Sequence, residues 1–458
     1  MLFARLTEDW RLRGWTDAPR TIVRWQSADY RPLSDEGSYV LSACDGVTNF
    51  HSLAFLPHHL RILDDLVSDG IARYCDRGDA IEGWQRHRFS DNPVLRSVEW
   101  NITGRCNLKC RHCYMESPSG KYGHCSLAEA RRIVDQFAEA GVLEVSLTGG
   151  EPFMRKDILE ILGMLAERRI WVSQIYSNGL LIEETRLEAI RKLGLKPAFQ
   201  ISFDGVGAHE TMRGVAGIES PTIDAIRLLR RCGFVVAVST SIDRAGARTL
   251  GETYELMKEL RVASWRVSKP EPTGNWRGAE DALSLAELFD ACRPVARRWS
   301  EDGKPFHIHL AGFLKGAPDG LEGAPRRAIG YAPDSYACES CRAEVNLLPN
   351  GVLMPCPGYV DLGLDATMPN LLHGRTLSEV WADPAFRRYA DLTLADVLAA
   401  NPGCRVCTHF SECGVGCRAS ALARSGDLLA KDEMACVLYH QGYKARIAND
   451  LGAAAASI

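Results

Sequence analysis

Residues 97–113 read SVEWNITGRCNLKCRHC: a short run of strand-forming residues that enters a loop carrying three cysteines. The stretch predicts a strand over 97–103, and the same kind of run recurs downstream at 143–148, 171–177, 198–203, 235–241 and 264–268. Amphipathic helical stretches separate them at 126–140, 156–167, 183–192, 222–232, 249–259 and 283–299. Six strand–helix repeats with right-handed crossovers imply an α/β fold, a parallel sheet curled as a partial (β/α)6 barrel over residues 96–303. Barrels of this kind carry their chemistry at the C-terminal ends of the strands. The cysteine loop follows the first of them.

Cys106, Cys110 and Cys113 place three thiolates within eight residues. That spacing suits three irons of a cubane [4Fe–4S] cluster and leaves the fourth iron open to a small molecule. A structural zinc ion would need a fourth ligand, and His112 is placed awkwardly for simultaneous ligation with Cys113. Other short signals end the following predicted strands: Gly149-Gly150-Glu151-Pro152, Ser177-Asn178-Gly179, and Ser202-Phe203-Asp204-Gly205, with Arg213-Gly214 shortly after. Glycines there would let the backbone approach a ligand closely, and Glu151 could pair with an ammonium group.

The Cys-x3-Cys-x2-Cys loop and these four segments, in this order, resemble the radical S-adenosylmethionine (radical SAM) family. The resemblance implies that Cys106, Cys110 and Cys113 hold a [4Fe–4S] cluster that reductively cleaves S-adenosylmethionine. It also implies cofactor contacts from Gly149, Gly150, Glu151, Ser177, Asn178, Ser202, Asp204 and Arg213. The radical released would abstract a hydrogen atom from the substrate, the protein holding the parts in place and excluding water.

Eight of the sixteen cysteines lie within 338–436, where regular periodicity fades. Cys341, Gly351, Cys356, Cys404, Cys407, Cys413, Cys417 and Cys436 are spaced as in the SPASM extension of radical SAM enzymes, which this region, 304–458, resembles. Cys338 supplies an eighth thiolate. The likeness implies two auxiliary [4Fe–4S] clusters, three in all, one on Cys338, Cys341, Cys356 and Cys417 and the other on Cys404, Cys407, Cys413 and Cys436. Zinc-ribbon-like structural sites are the competing reading. A hairpin is predicted at 345–354, Gly351 supplying a positive φ at its turn. Cys44, Cys75, Cys125, Cys232 and Cys292 are isolated and read as small buried hydrophobes.

Residues 1–95 form a separate small module with a strand at 21–26, helices at 35–43 and 56–68, and a strand at 70–75; residues 82–93 read as a polar linker. This order resembles the winged-helix element that binds precursor-peptide leaders, which implies recognition by strand addition. Relatives of this architecture act on ribosomally made peptides. The resemblance therefore implies a peptide cross-link, a thioether or a C–C or C–O bond, with auxiliary clusters accepting electrons and a flavodoxin- or ferredoxin-type donor. Sulfatase-maturing relatives carry a basic aspartate after the inner-cluster cysteine; here Pro357 follows Cys356, which disfavours formylglycine formation.

The net charge of −4, from 54 basic and 58 acidic residues, argues against a nucleic-acid partner. It weighs against the other class of reading, an iron–sulfur redox sensor that binds DNA. A cofactor- or haem-pathway enzyme acting on a small molecule is the alternative within enzymes. No apolar run reaches membrane-span length and no signal peptide opens the chain, so a cytoplasmic location is expected.

Overall fold

The computed structural model describes residues 1–27, 29–117, 119–321, 332, 334–338 and 340–452. The chain begins with β1 (Ala4–Leu6), β2 (Trp10–Gly14), β3 (Thr21–Arg24) and β4 (Tyr30–Pro32). Helices α1 (Asp35–Ala43) and α2 (Pro57–Ser68) follow, then β5 (Ala72–Tyr74) and β6 (Arg88–Phe89). β1 pairs antiparallel with β5, and a second sheet runs β4-β3-β2-β6. Leu6, Val40, Leu41, Phe50, Leu63 and Ile71 close an apolar core of the module's own. Ser34 caps α1 by accepting the Gly37 amide, one of the donors a helix start leaves unpaired.

The expected helices and strands of this module are present, but β1, β2, β4 and β6 were not foreseen. β2 reads Trp-Arg-Leu-Arg-Gly, an alternation that points arginines to solvent, yet all five residues are buried. Arg11 is covered because it donates to the Arg169 carbonyl (2.7 Å), and Arg13 donates to the carbonyls of Trp84 (3.0 Å) and Arg86 (3.2 Å). The expected linker over 82–93 is corrected too. β6 pairs with β2, Gln85 donates to the Thr7 and Trp10 carbonyls, and Asn92 donates to the Ala140 carbonyl. Polar composition there reflects ties to backbone groups.

Further ties fix the module to one end of the barrel. The Arg169 guanidinium stacks over Trp25 (4.5 Å) and Trp84 (4.9 Å), and Gln26 bonds to the Gly194 carbonyl and the Lys196 amide. Ala140, Arg169 and Gly194 stand in the turns that precede barrel strands. The module therefore sits at the N-terminal ends of the strands, opposite the cysteine loop.

The barrel strands are β7 (Ser97–Asn101), β8 (Glu144–Thr148), β9 (Trp171–Ser177), β10 (Ala198–Ser202), β11 (Val236–Ser241) and β12 (Ser264–Ser268), each parallel to the next. Between and after them run α3 (Leu127–Glu139), α4 (Ile158–Glu167), α5 (Glu184–Lys192), α6 (His209–Arg213), α7 (Glu219–Arg231), α8 (Arg244–Arg248), α9 (Leu250–Glu259) and α10 (Leu285–Glu301). In α3, Ala130, Ile133, Val134 and Phe137 form the buried stripe, and Ser126 with Glu129 closes a reciprocal cap at its start.

The sheet continues past residue 303, where the sequence reading placed a boundary. β13 (His307–Leu310) pairs parallel with β12, and β14 (Leu314–Gly316) turns back antiparallel on it. On the other edge, β15 (Glu344–Leu347) lies parallel to β7 and forms the expected hairpin with β16 (Leu353–Met354). The result is a ten-stranded sheet with the C-terminal region sewn into its edge. An open edge at β7 and the apolar Val345 and Leu347 explain the pairing: the strand satisfies its backbone there and buries both side chains.

Strand alternation separates two faces. Val98, Trp100, Val145, Leu147, Phe199, Ile201, Trp265 and Val267 are buried against the helices. Ser97, Glu99, Glu144, Ser146, Gln200, Ser202, Ser239 and Ser268 line the concave side and stay half-buried. The lumen of this barrel is polar.

Candidate active site

The loop after β7 is held by backbone from the ends of four other strands. After β8, the Gly150 and Glu151 amides donate to the carbonyls of Thr103 (2.7 Å) and Arg105 (2.8 Å). After β9, Asn178 Nδ2 donates to Asn107 Oδ1 (2.8 Å). After β10, the carbonyls of Arg213 and Met212 accept from the amides of Lys109 (3.1 Å) and Arg111 (2.9 Å). After β12, Asn275 donates through its amide to the Cys113 carbonyl (3.1 Å) and through its side chain to that of Cys110 (3.2 Å).

These contacts give the glycines a further reason. A Cβ at Gly149 would lie 2.4 Å from the Thr103 carbonyl oxygen, and one at Gly150 would lie 2.0 Å from that of Arg105. Backbone of the cysteine loop itself fills the space. Gly149 also has φ +129°, which other residues rarely adopt.

Glu151 is fully buried and is the latch of the assembly. Its carboxyl accepts from the Phe153 amide (3.1 Å), the Ser177 hydroxyl (2.9 Å) and the Asn178 amide (2.8 Å). Burial outweighs those donors and pushes its pKa up to about 7. Asp204 takes Arg213 in a two-point ion pair, Nε to Oδ2 at 2.6 Å and Nη2 to Oδ1 at 3.0 Å, and also accepts the Ser241 amide. Arg213 holds the Asp204 carboxyl below its ordinary range despite complete burial. Of the residues expected to touch the cofactor, Glu151, Ser177, Asn178, Asp204 and Arg213 thus also bond to one another or to the loop. Ser202 stands half-buried at the end of β10.

The sulfur environment fits an iron–sulfur cluster. The Leu108 amide points to Cys106 Sγ (3.4 Å) and Arg213 Nη1 to Cys110 Sγ (3.5 Å), donors that stabilise thiolate rather than thiol. Burial, with the neighbouring Cys110, Glu151 and Cys113, outweighs the Leu108 amide and pushes the Cys106 thiol up to about 12, an environment in which a bound cation favours the thiolate.

The C-terminal cysteines fall into two groups. The Cys341 thiol is within hydrogen-bond reach of Cys338 and Cys356, and Tyr359 lies amid the charges of Cys338, Cys341, Cys356 and Cys417. Gly358 donates its amide to Cys356, and Ala419 and Ser420 donate theirs to Cys417 at the start of the helix Arg418–Ser425. Cys404, Cys407, Cys413 and Cys436 line one cavity of about 300 Å3 with Phe410 and Tyr439. Asp432 joins the groups: it accepts the Cys417 amide (2.7 Å) and caps the helix Glu433–His440, which carries Cys436.

Asn107, Asn275 and the bridging role of Asp361 escaped the sequence reading. Asp361 accepts the Gly274 amide (2.7 Å) and pairs with Arg277 and Lys121, tying the C-terminal region to both flanks of the cysteine loop. Position after a strand end was the available signal for Asn275. Nothing in the sequence marked Asp361 as a bridge. Glu271, by contrast, pairs with Arg424 (2.6 Å).

A cavity of about 220 Å3 opens within the lumen, lined by Glu99, Ser146, Gln174, Tyr176, Glu344 and Cys356 among others. A bulge in β9 opposite Val145 and Ser146 turns both Ser173 and Gln174 toward it. No helix among the described residues is long and apolar enough to cross a membrane.

Comparison with known proteins agrees with this arrangement. The family model described as "Radical SAM superfamily" matches residues 100–244. A PqqA peptide cyclase of Rhodopseudomonas palustris is 30% identical over 357 residues, covering 75% of this chain and 86% of that protein. An AdoMet-dependent heme synthase of Nitratidesulfovibrio vulgaris is 26% identical over 358 residues, covering 75% and 92%. Among solved structures, Streptococcus suis SuiB bound to precursor peptide SuiA superposes with a TM-score of 0.66 at 16% identity, over 95% of this chain and 100% of that one. With the cysteine loop clamped at the strand ends and homology of this extent, the chain is an enzyme of the radical SAM superfamily, whose members use a [4Fe–4S] cluster and S-adenosylmethionine.

Proposed function

We propose that this enzyme matures a ribosomally made precursor peptide, abstracting a hydrogen atom and closing an intrapeptide cross-link, a thioether or a C–C or C–O bond. The cluster and S-adenosylmethionine, when bound, supply the radical chemistry. Cys106, Cys110 and Cys113 would hold that cluster. The two further cysteine groups would hold two auxiliary clusters that accept the electron released on ring closure, three clusters in all. Glu151, Ser177, Asn178 and the Asp204–Arg213 pair hold the loop, and Gly149, Gly150 and Ser202 complete the expected cofactor surface.

The observation that carries the reading is the polar lumen. A peptide segment brings backbone and side-chain hydrogen-bonding groups that suit the serine, glutamine and glutamate lining. An iron tetrapyrrole brings a broad apolar face and carboxylates, which the wall of Glu99, Glu144 and Glu344 disfavours. The module of residues 1–95, docked at the opposite end of the barrel, is suited to retain a leader while the core segment enters the lumen. The SuiB likeness extends over this module, since it spans 95% of the chain.

Anaerobic reconstitution followed by iron analysis and incubation with S-adenosylmethionine tests the proposal. About twelve irons per chain are expected for three cubanes, with loss of two hydrogens from a precursor peptide encoded beside the gene. An iron count that stays near that of one cubane would remove the auxiliary clusters. Turnover of iron coproporphyrin in place of any peptide would establish the haem-pathway reading.

A further inference from the structure

Glu99 stands in the middle of β7 on the concave face, and a chain of buried amides leads to it. The Tyr114 hydroxyl, beside Cys113 in sequence, donates to Asn101 Oδ1 (3.3 Å). Asn101 Nδ2 donates to Asn346 Oδ1 (3.1 Å), and Asn346 Nδ2 donates to Glu99 Oε1 (3.0 Å). Asn101 and Asn346 are both 0% exposed, so each amide orientation is set by its neighbours. The chain leaves Glu99 as an acceptor. Its other oxygen, Oε2, takes no hydrogen bond from the described residues.

That carboxyl lines the lumen cavity together with Tyr176 and Cys356, so it lies between the cysteine loop above β7 and the inner group of C-terminal cysteines. The other charges around it are accounted for. Glu144 and Glu344 share Arg96. Arg266 on β12 acts on Glu99 at longer range and forms no ion pair with it among the described residues. A half-buried carboxyl with one oxygen open to a cavity can accept a hydrogen bond from a group bound there.

We propose that Glu99 is the specificity-determining residue of the lumen, its Oε2 anchoring a substrate side chain that carries an N–H or O–H donor, an amine best of all, and turning away carboxylates. The assignment rests on the peptide reading above. It adds which class of residue is presented between the cysteine loop and Cys356. Asn346 is a positioning residue, because it acts through Glu99. The C-terminal region thus takes part in substrate selection through β15.

The test uses the reconstituted holoenzyme without S-adenosylmethionine, so that binding is read without turnover. Acetylated and amidated Gly-Gly-Xaa-Gly-Gly pentapeptides, with Xaa lysine, leucine or glutamate, are titrated by saturation-transfer NMR. The lysine peptide is expected to bind about tenfold tighter than the others, the scale of one charge-assisted hydrogen bond. Glu99→Gln should bring the three within about twofold of one another while iron content and melting temperature hold. Glu99→Asp, which keeps the charge, should retain a preference for lysine and serves if the glutamine variant loads iron poorly. A lysine preference that survives Glu99→Gln, or a glutamate peptide that binds as tightly, overturns the role of Glu99 and leaves the peptide reading standing. Absence of binding by every pentapeptide, with tight binding of iron coproporphyrin, overturns both.

Discussion

The two cysteine-bearing regions are built on opposite principles. Cys106, Cys110 and Cys113 lie in a loop held by backbone hydrogen bonds and by side chains from the ends of four strands, all rooted in one apolar core. The C-terminal groups sit among short helices and turns, with Cys404, Cys407, Cys413 and Cys436 around one small pocket beside an apolar cluster of Leu394, Val397, Leu398 and Val415. The first site is shaped by the fold before any metal arrives. The second combines a small apolar cluster with its sulfurs, and a region of that kind takes part of its stability from any metal the sulfurs hold.

The largest effect that would break or sharpen this contrast is removal of iron. Hydrogen exchange on the iron-free protein should show amides of residues 404–440 losing protection while those of β7 to β12 and β15 keep theirs. Equal loss in both regions would erase the distinction. Next in size is Gly150→Ala. The new Cβ would lie 2.0 Å from a backbone oxygen, and no side chain can yield to relieve it. A cost of about 3 kcal/mol or more is expected at that contact. Iron analysis should show about four irons lost, with the auxiliary complement of about eight retained.

Asp361→Ala removes the bridge between the regions. A loss of about 1–3 kcal/mol in thermal unfolding is expected, because the Gly274 amide and the Lys121 and Arg277 cations lose their shared acceptor. The smallest changes form a matched pair. Asp432→Ala and Ser126→Ala each delete a helix N-cap worth about 1 kcal/mol. Only the first should lower iron content, since Asp432 also holds the Cys417 amide. Iron loss in the Ser126 variant would mean that the barrel and the cysteine-rich region are not distinct in this respect.

Much of the barrel was legible from periodicity. Each strand and helix expected over 96–303 is found within a few residues of its place, because the strands alternate buried apolar and polar residues and the helices bury one stripe. The hairpin of β15 and β16 was legible, but its place in the sheet was not: β15 finds its partner only at the open edge of β7. β2 was not legible because its arginines are buried by partners far away in sequence, among them the Arg169 carbonyl. Of the site, the sulfur positions and the strand-end segments were visible, while the close approach of the glycines to Thr103 and Arg105 was not.

The sequence by itself determined the repeat order, the three-cysteine loop after the first strand and the spacing of the later cysteines. These are properties of local spacing, and periodicity reports them directly. Tertiary structure alone decided which segments clamp that loop, that Asp361 joins the regions, and that Glu99 ends a line of buried amides with one oxygen open to the lumen. Each of those depends on residues far apart in sequence, Glu99 and Asn346 among them, meeting across a sheet edge. Hydrogen-bond satisfaction at such a meeting is a property of the folded geometry.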